Sequence, residues 1–465
     1  MLEKLGVPMA VHLTTTFAGL GKAEMAAEGL PSYSVVVFPH PLAGLSREAI
    51  RKQVEGGVDK VIKALTTNPE KSDDAQKVAA GAIQIGGKDY AEAFEKFNEY
   101  FLERHWGDGL PLVPPTRDKV DWMLSGTDRS PNDVIVTTRP SGRALTVEAL
   151  AINAVMAGAK PAFMPVITAA LKAFDRIPWG WGSVTTTSSV APLVCVNGPI
   201  AKQLDINSKN NALGYGWRAN ATIGRTIEMV FHCVGGAVPG VTDMSTLGYP
   251  TTFTSTVFAE DVDVLDDIGW TTFAEDKGFG REENVASVTV IMGGYKIIFH
   301  YEATNAEEGM KYLLWTAKPM NFVLPQGAMF MLNPEYAKVF ASSGWKRADL
   351  MHQIALRGSE KWKVPIKEAV SVIDWTKSWR VGEAGPKWFK DLPEDFPLPV
   401  WPREAKDIWL FVAGGSGKES HFYPHLKGYT DIQSEKIELP ANWDKIVRES
   451  DIRQTLTAKL PRVPW

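Results

Sequence analysis

Apolar and polar positions along this chain switch repeatedly between short β-type runs and helical periodicity, the pattern of a mixed α/β protein. Residues 7–13 and 33–38 are Val-rich runs that predict strands. The helix predicted between them stops at Gly29, a residue suited to a left-handed cap. After a Pro/His turn at 39–45, Ser46 caps a predicted helix reaching about Leu65. Residues 1–4 read as the tail of an earlier helix, stopped by Gly6. Two strands are too few to bury both faces of a parallel sheet, so the opening region reads as an incomplete doubly wound parallel-sheet domain over residues 1–66.

A polar linker is expected at 67–85, and a larger α/β (α+β) domain at 86–465. Its predicted helices are an amphipathic one at 90–106, one at 147–157 capped by Thr146 and stopped by Gly158, and others at 162–174, 218–234, 306–317, 334–342 and 346–357. Predicted strands lie within 183–196, at 286–293, 295–301 and 407–413. Subdivision is expected near 250–305 and in the Pro-rich stretch 384–406. No internal repeat is apparent, and the closing LPRVPW reads as an ordered arm or partner contact.

The 465 residues suffice for two or three domains, and 22% charged residues is ordinary globular composition. A net charge of −4 supplies no basic field, which argues against nucleic acid as a partner. No apolar run approaches the roughly 20 residues of a membrane helix, and no signal peptide opens the chain. Only two cysteines occur, Cys195 and Cys233, which excludes a secreted disulfide framework and fits a reducing cytoplasm. The 16 Trp and 30 Pro favour a pocketed enzyme or an oligomer.

Four clusters carry candidate chemistry. Residues 206–225 concentrate Asn, Gly and Arg: Gly214 and Gly216 permit close backbone approach, Asn211 and Asn220 are polar, and Arg218, Arg225 and His232 recur along one helical face that can clamp a carboxylate or phosphate. The alternative is a solvated helix face and a loop that needs its glycines for turns, but Asn, Gly and Arg are concentrated beyond what a turn requires. His105 and Asp108, beside the stiff Gly107–Thr116 segment, suit acid–base work, or simply end a helix and cap a turn. Thr185 and Thr186, ahead of a strand that ends at Asn197, suit a pocket lining or an ordinary turn; no G-x-S-x-G elbow accompanies them. Gly414, Gly415 and Ser416 follow a buried strand, and a strand–glycine turn–helix there makes an anion nest. A P-loop is excluded, since Val412 and Glu419 occupy its first Gly and its Ser/Thr. His421 and His425 flank Pro424 and make no clean helical metal pair, so no metal site and no cofactor is evident.

Gly6-Val7-Pro8, Phe17, Gly29-Leu30-Pro31, Pro39-His40-Pro41-Leu42 and Gly44-Leu45 resemble the UGSC family of bacterial selenoproteins and their cysteine homologues. They are distantly similar to the selenoprotein B subunits of glycine and proline reductases. Asp108–Thr116, Ala151–Gly158, Val196–Pro199 and Gly216–Arg225 resemble the large domain often fused to it. The resemblance implies a Sec-Gly-Ser-Cys segment before the helix that leads into Gly6-Val7-Pro8, and neither cysteine here stands at that place. Two accounts are expected: a UGA codon read as a stop, with translation assigned to the next Met, or a second subunit that completes the sheet.

A selenolate or thiolate there implies redox or reductive cleavage of a small polar or anionic molecule, with an external thiol or electron donor. His12, Thr14, Thr15 and His40 would stand beside it, at the strand ends where ligands bind in such sheets. Two other readings stay open. One is a non-redox hydratase or lyase using His105, Asp108, Arg218 and Asn220; the other is a non-catalytic subunit that binds a small molecule or a partner chain. A homo-oligomer is expected.

Overall fold

A computed structural model describes residues 7–30, 35–42, 45–67, 82–299, 303–318, 326–372, 380 and 387–452. The expectations for residues 1–6, Pro31, Gly44, most of the 67–85 linker and the closing arm lie outside them. The chain is α/β. In the amino-terminal module, β1 (Val11–Thr14) and β2 (Val35–Phe38) pair in parallel across the Ala18–Ala27 helix. Gly29 ends that crossover at φ +68°. Ser46 accepts from the Ala49 amide at 3.2 Å, as its capping role requires. The helix it opens divides at Gly56-Gly57 into Arg47–Glu55 and Val58–Thr66.

Asp89 caps the Tyr90–Glu103 helix through the Glu92 amide at 2.9 Å. An antiparallel pair, β3 (Val134–Thr137) and β4 (Ala144–Thr146), then leads into the Val147–Met156 helix. Thr146 caps it from the Ala149 amide at 3.1 Å. The β3–β4 turn is also the module's anchor. Arg139 pairs with Glu28 at 2.6 Å, and Gly142 backs onto Ala27 so closely that a Cβ there would stand 2.8 Å from its methyl.

The remaining strands are β5 (Ala191–Asn197), β6 (Thr256–Ala259), β7 (Val285–Ile291), β8 (Tyr295–Ile298) and β9 (Gln326–Leu332). They continue with β10 (Lys363–Pro365), β11 (Pro397–Pro399), β12 (Ile408–Val412), β13 (Glu419–Leu426) and β14 (Gln433–Lys436). Strands β10 and β11 form a small separate pair. The others form two four-stranded sheets, ordered β14-β7-β5-β6 and β8-β13-β9-β12.

Both sheets follow one plan. Reading each in that order, the first two of the three pairings are antiparallel and the last is parallel. The connectivity repeats as well. Strands β5, β6 and β7 build one sheet and β9, β12 and β13 the other, after which the chain crosses over: β8 closes the second sheet and β14 the first. The expectation of no internal repeat is therefore corrected at the level of topology. A short echo in sequence accompanies it. Asn197-Gly-Pro-Ile-Ala-Lys202 starts at the last residue of β5, and Asn333-Pro-Glu-Tyr-Ala-Lys338 directly follows β9.

Alternation along these strands fixes the layers. Leu193, Cys195, Phe258, Met329, Met331, Trp409, Phe411 and Tyr423 point inward and form one core between the sheets. Val194, Val196, Val257 and Val288 point outward beneath the Met164–Asp175 and Arg218–Met229 helices. Phe330, Leu332, Leu410 and Phe422 point outward beneath the Ala306–Thr316 and Arg347–Lys361 helices. The order is helix, sheet, sheet, helix, with every central strand buried on both faces. Among the described residues no helix is long and apolar enough to cross a membrane.

Candidate functional site

The residues singled out from sequence fall at two ends of the molecule and on a clasp between them. At one end, Thr14 terminates β1 and His40 lies two residues beyond β2. The Thr14 hydroxyl and His40 Nδ1 are hydrogen-bonded at 2.9 Å, and the His40 ring lies edge-on to Phe17 at 5.9 Å. Thr15 and His12 are exposed beside them, and the His12 ring packs against Phe38. The Val241 carbonyl reaches within 3.0 Å of where a Cβ on Gly19 would sit, which places the 236–250 loop against the module. Thr246 of that loop bonds the Thr187 carbonyl. Thr185 and Thr186 lie in this neighbourhood, each bonded within its own turn and ahead of the start of β5.

The clasp joins two of the expected clusters. Arg225 grips Asp108 bidentately, Nε to Oδ2 at 2.7 Å and Nη2 to Oδ1 at 2.9 Å, and also donates to the Pro111 carbonyl at 3.1 Å. The Asp108 side chain is only 3% exposed. The pair ties the stiff Gly107–Thr116 segment to the Arg218–Met229 helix and leaves neither group for substrate. His105 is exposed with φ +54°, just past the end of the Tyr90–Glu103 helix. Asn220 is buried, and its amide is spent. It accepts from the Asn207 amide at 2.8 Å and donates to the Val257 carbonyl at 2.8 Å. Asn220, Asp108 and Arg225 are thus structural braces, a correction to their expected catalytic or substrate-binding roles. His232 does not continue the α-helical face of Arg218 and Arg225. A wider π turn at Val230–Val234 rotates it to bond the Ala237 carbonyl at 3.2 Å.

At the other end, a cavity of about 760 Å³ opens at the C-terminal ends of the parallel strands β5 and β6. This is where α/β sheets commonly receive ligands. Asn197 sits in its wall but is committed, donating from Nδ2 to Glu260 at 3.0 Å. Lys202 and Lys209 both grip Asp263, at 2.6 and 3.1 Å. Asp205 stands differently. No hydrogen bond to its carboxylate exists among the described residues, partial burial lifts it to about 6, and its backbone is left-handed at φ +58°. Sequence reading passed over it because an isolated Asp in a polar loop carries no periodic or motif signal.

Asp205 and Trp217 also line a second cavity of about 280 Å³, with Lys160, Gly216 and Arg218. Asn211 and Gly214 close their own turn outside both cavities, through Asn211 Nδ2 to the Tyr215 carbonyl at 2.7 Å. Gly414 donates to the Ser208 carbonyl, and a Cβ on Gly415 would meet the Asn210 side chain at 2.2 Å. Both glycines therefore support the cavity rim from behind, while Ser416 is exposed. The expected glycine-turn nest is corrected: a strand, β13, and no helix follows it, so no helix end supplies free amides there.

The two ends are far apart. Arg218 opens its helix at the cavity, and Gly235 ends the helical run beside the Arg139 turn that anchors the module, about 25 Å away at 1.5 Å per residue. Neither thiol reaches either end in reactive form. Cys195 is fully buried between the sheets, and its thiol is held well above its ordinary range by burial, then by Glu260. Burial, then Asp108, pushes Cys233 up to about 12. His425 is stacked on Trp409, its Nε2 3.2 Å from the Asp407 carbonyl oxygen, and burial lowers it to about 3. No cluster of metal-ligating side chains occurs among the described residues.

No curated protein and no solved structure matches this chain. Residues 1–67, the span that carries Thr14, Thr15 and His40, match the model of the UGSC family.

Proposed function

We propose that this chain is part or a subunit of a thiol- or selenol-dependent enzyme of the cytoplasm, acting by redox or reductive cleavage on a small polar or anionic molecule. The observation that carries the reading is the Thr14–His40 pair at the ends of two parallel strands, inside the span that matches the UGSC family. Such strand ends are where a reactive group meets its ligand. The nucleophile is not Cys195 or Cys233, since both are protonated at neutral pH and only the ionised form attacks. It comes from a segment or partner chain that docks against β1 and β2, and an external thiol or electron donor completes the cycle.

The test uses the native assembly purified from cells grown with radioactive selenium. Label that migrates with this chain, or a thiol on a co-purifying chain that iodoacetamide blocks within seconds at pH 6, supports the reading. Absence of both from an assembly that contains this chain defeats it.

A hydratase or lyase is the second reading, favoured by Asp205. A carboxyl lifted to about 6 in a 760 Å³ cavity can take and return a proton near neutral pH. Its signature is a rate that falls in Asp205→Asn with little change in KM.

A further inference from the structure

The Tyr90–Glu103 helix carries two apolar strips, and the core takes up only one. Phe97 and Phe101 pack inward with Leu112 and Met156. Phe94, Asn98 and Leu102, each four residues from the next, run along a neighbouring face. With Leu110, Pro111 and Leu112 of the stiff segment they form a groove of about 300 Å³. Leu102 and Leu110 are exposed in it. The walls are fixed: Asn98 Oδ1 accepts from the Leu112 amide at 2.7 Å, and the Asp108–Arg225 clasp holds the segment from its other side. The rim is acidic. Glu95 and Glu99 line it, and among the described residues neither forms an ion pair, while Glu92 and Glu103 of the same helix pair with Lys96 and Arg104. An apolar floor under an unpaired acidic rim fits an apolar segment that carries basic residues.

The chain itself supplies such a segment. Residues 453–465, RQTLTAKLPRVPW, set Leu456, Leu460, Val463 and Trp465 among Arg453, Lys459 and Arg462, with no acidic residue. They start within reach. Ile452 lines the small cavity beside Arg218. Seven helical residues further on, Arg225 donates to the carbonyl of Pro111 in the groove wall. Adding the cavity's width and the length of an arginine side chain to about 10 Å of helix axis gives a gap on the order of 30 Å. Thirteen residues at 3.3 Å each span up to about 43 Å.

We propose that residues 453–465 dock in this groove of their own chain, with their large apolar side chains against Phe94, Leu102 and Leu110 and with Lys459 and Arg462 facing Glu95 and Glu99. The occupant is the same chain rather than a second copy, because so short a tether holds the segment at an effective concentration of about a millimolar. This surface stands apart from both functional readings above.

Carbodiimide, which joins an ammonium to a carboxylate in contact with it, tests the proposal on an equal mixture of unlabelled and isotope-labelled full chain. Links are mapped by mass spectrometry. Lys459 is expected to link to Glu95 or Glu99, and only between peptides of the same isotopic composition. Absence of both links overturns the proposal, and so do links of mixed composition, which would seat the segment on a second copy. Trypsin gives an independent readout through cleavage after Lys459 and Arg462 in the native chain. Leu102→Ser combined with Leu110→Ser, shown to be folded by circular dichroism, should lower the link yield and speed that cleavage, each by about tenfold. A folded variant in which either quantity stays at the wild-type value overturns the groove as the docking surface.

Discussion

At the scale of single residues, environment decides which of the chemically suggestive side chains are available. Both thiols are held above their ordinary range, Cys195 buried between the sheets and Cys233 half-buried near Asp108. Iodoacetamide at pH 7.5 should therefore leave Cys195 unmodified in the native chain and label both in urea, and a native mass shift mapped to Cys195 would contradict its burial. Asp205 shows the opposite case. Its folded value of about 6 lies above the roughly 3.9 of an unfolded Asp, so its contribution to stability is fully present below about pH 4 and is lost as pH rises through 6. Asp205→Asn removes that loss. Melting temperatures of variant and wild type should coincide near pH 4, and the variant should melt higher at pH 7 to 8. A variant that is less stable at pH 8 would mean that the ionised carboxylate has a favourable partner. The residue could not be singled out from sequence, because its perturbation comes entirely from the walls around it.

At the scale of elements, local chemistry was readable and side-chain commitments were not. Asp89, Thr146 and Ser46 cap helices through short side-chain bonds that depend only on neighbouring residues. The amphipathic stretch from Tyr90 declares itself by period, and the apolar run 408–413 by its β-prone composition and its bounds. The 218–234 helix was visible as a length. Its π turn at Val230–Val234 was not, since it falls in the closing turn, where too few residues follow to show a shifted stripe. Asp108 and Arg225 drew attention for the right reason, an acid and a base in special segments, but lie 117 positions apart and consume each other. Removing one partner strands a buried charge. Arg225→Met should destabilise the chain by about 3–5 kcal/mol, read from the urea midpoint, and Asp108→Leu with Arg225→Met together should cost less than either alone. Equal and additive losses would show that the two groups act separately.

At the scale of the whole molecule, the sequence concealed the repeated topology for two physical reasons. Burial on both faces removes alternation from the short apolar run of β9, and Pro424 with His421 and His425 breaks the strand pattern of β13, so neither gave a strand signal of its own. The pairing partners are also distant in sequence: β14 closes the first sheet beside β7, with the second sheet's central strands in between. What joins the two halves is a buried polar seam. Glu260, just past β6, accepts from Asn197 of β5, from the Val412 amide of β12 at 3.3 Å, and from Arg347 Nη1 at 3.0 Å. Arg347 is 2% exposed, donates to the Leu410 carbonyl of β12 and the Thr271 carbonyl, and pairs with Asp276. One carboxylate and one guanidinium thus bridge the adjoining edge strands of two sheets whose facing sides meet largely through apolar packing, beside a backbone bond from the Asp261 amide to the Val412 carbonyl at 2.8 Å. Arg347→Met leaves Glu260 buried with its charge uncompensated, at a cost of about 3–5 kcal/mol. Because the seam is shared, the loss should not stay in one half. Hydrogen exchange followed by mass spectrometry should show peptides covering β6 and β12 losing protection together, with β1 and β2 unchanged. Loss confined to β12, with β6 still protected, would mean that the sheets are held independently and that Glu260 serves only its own strand.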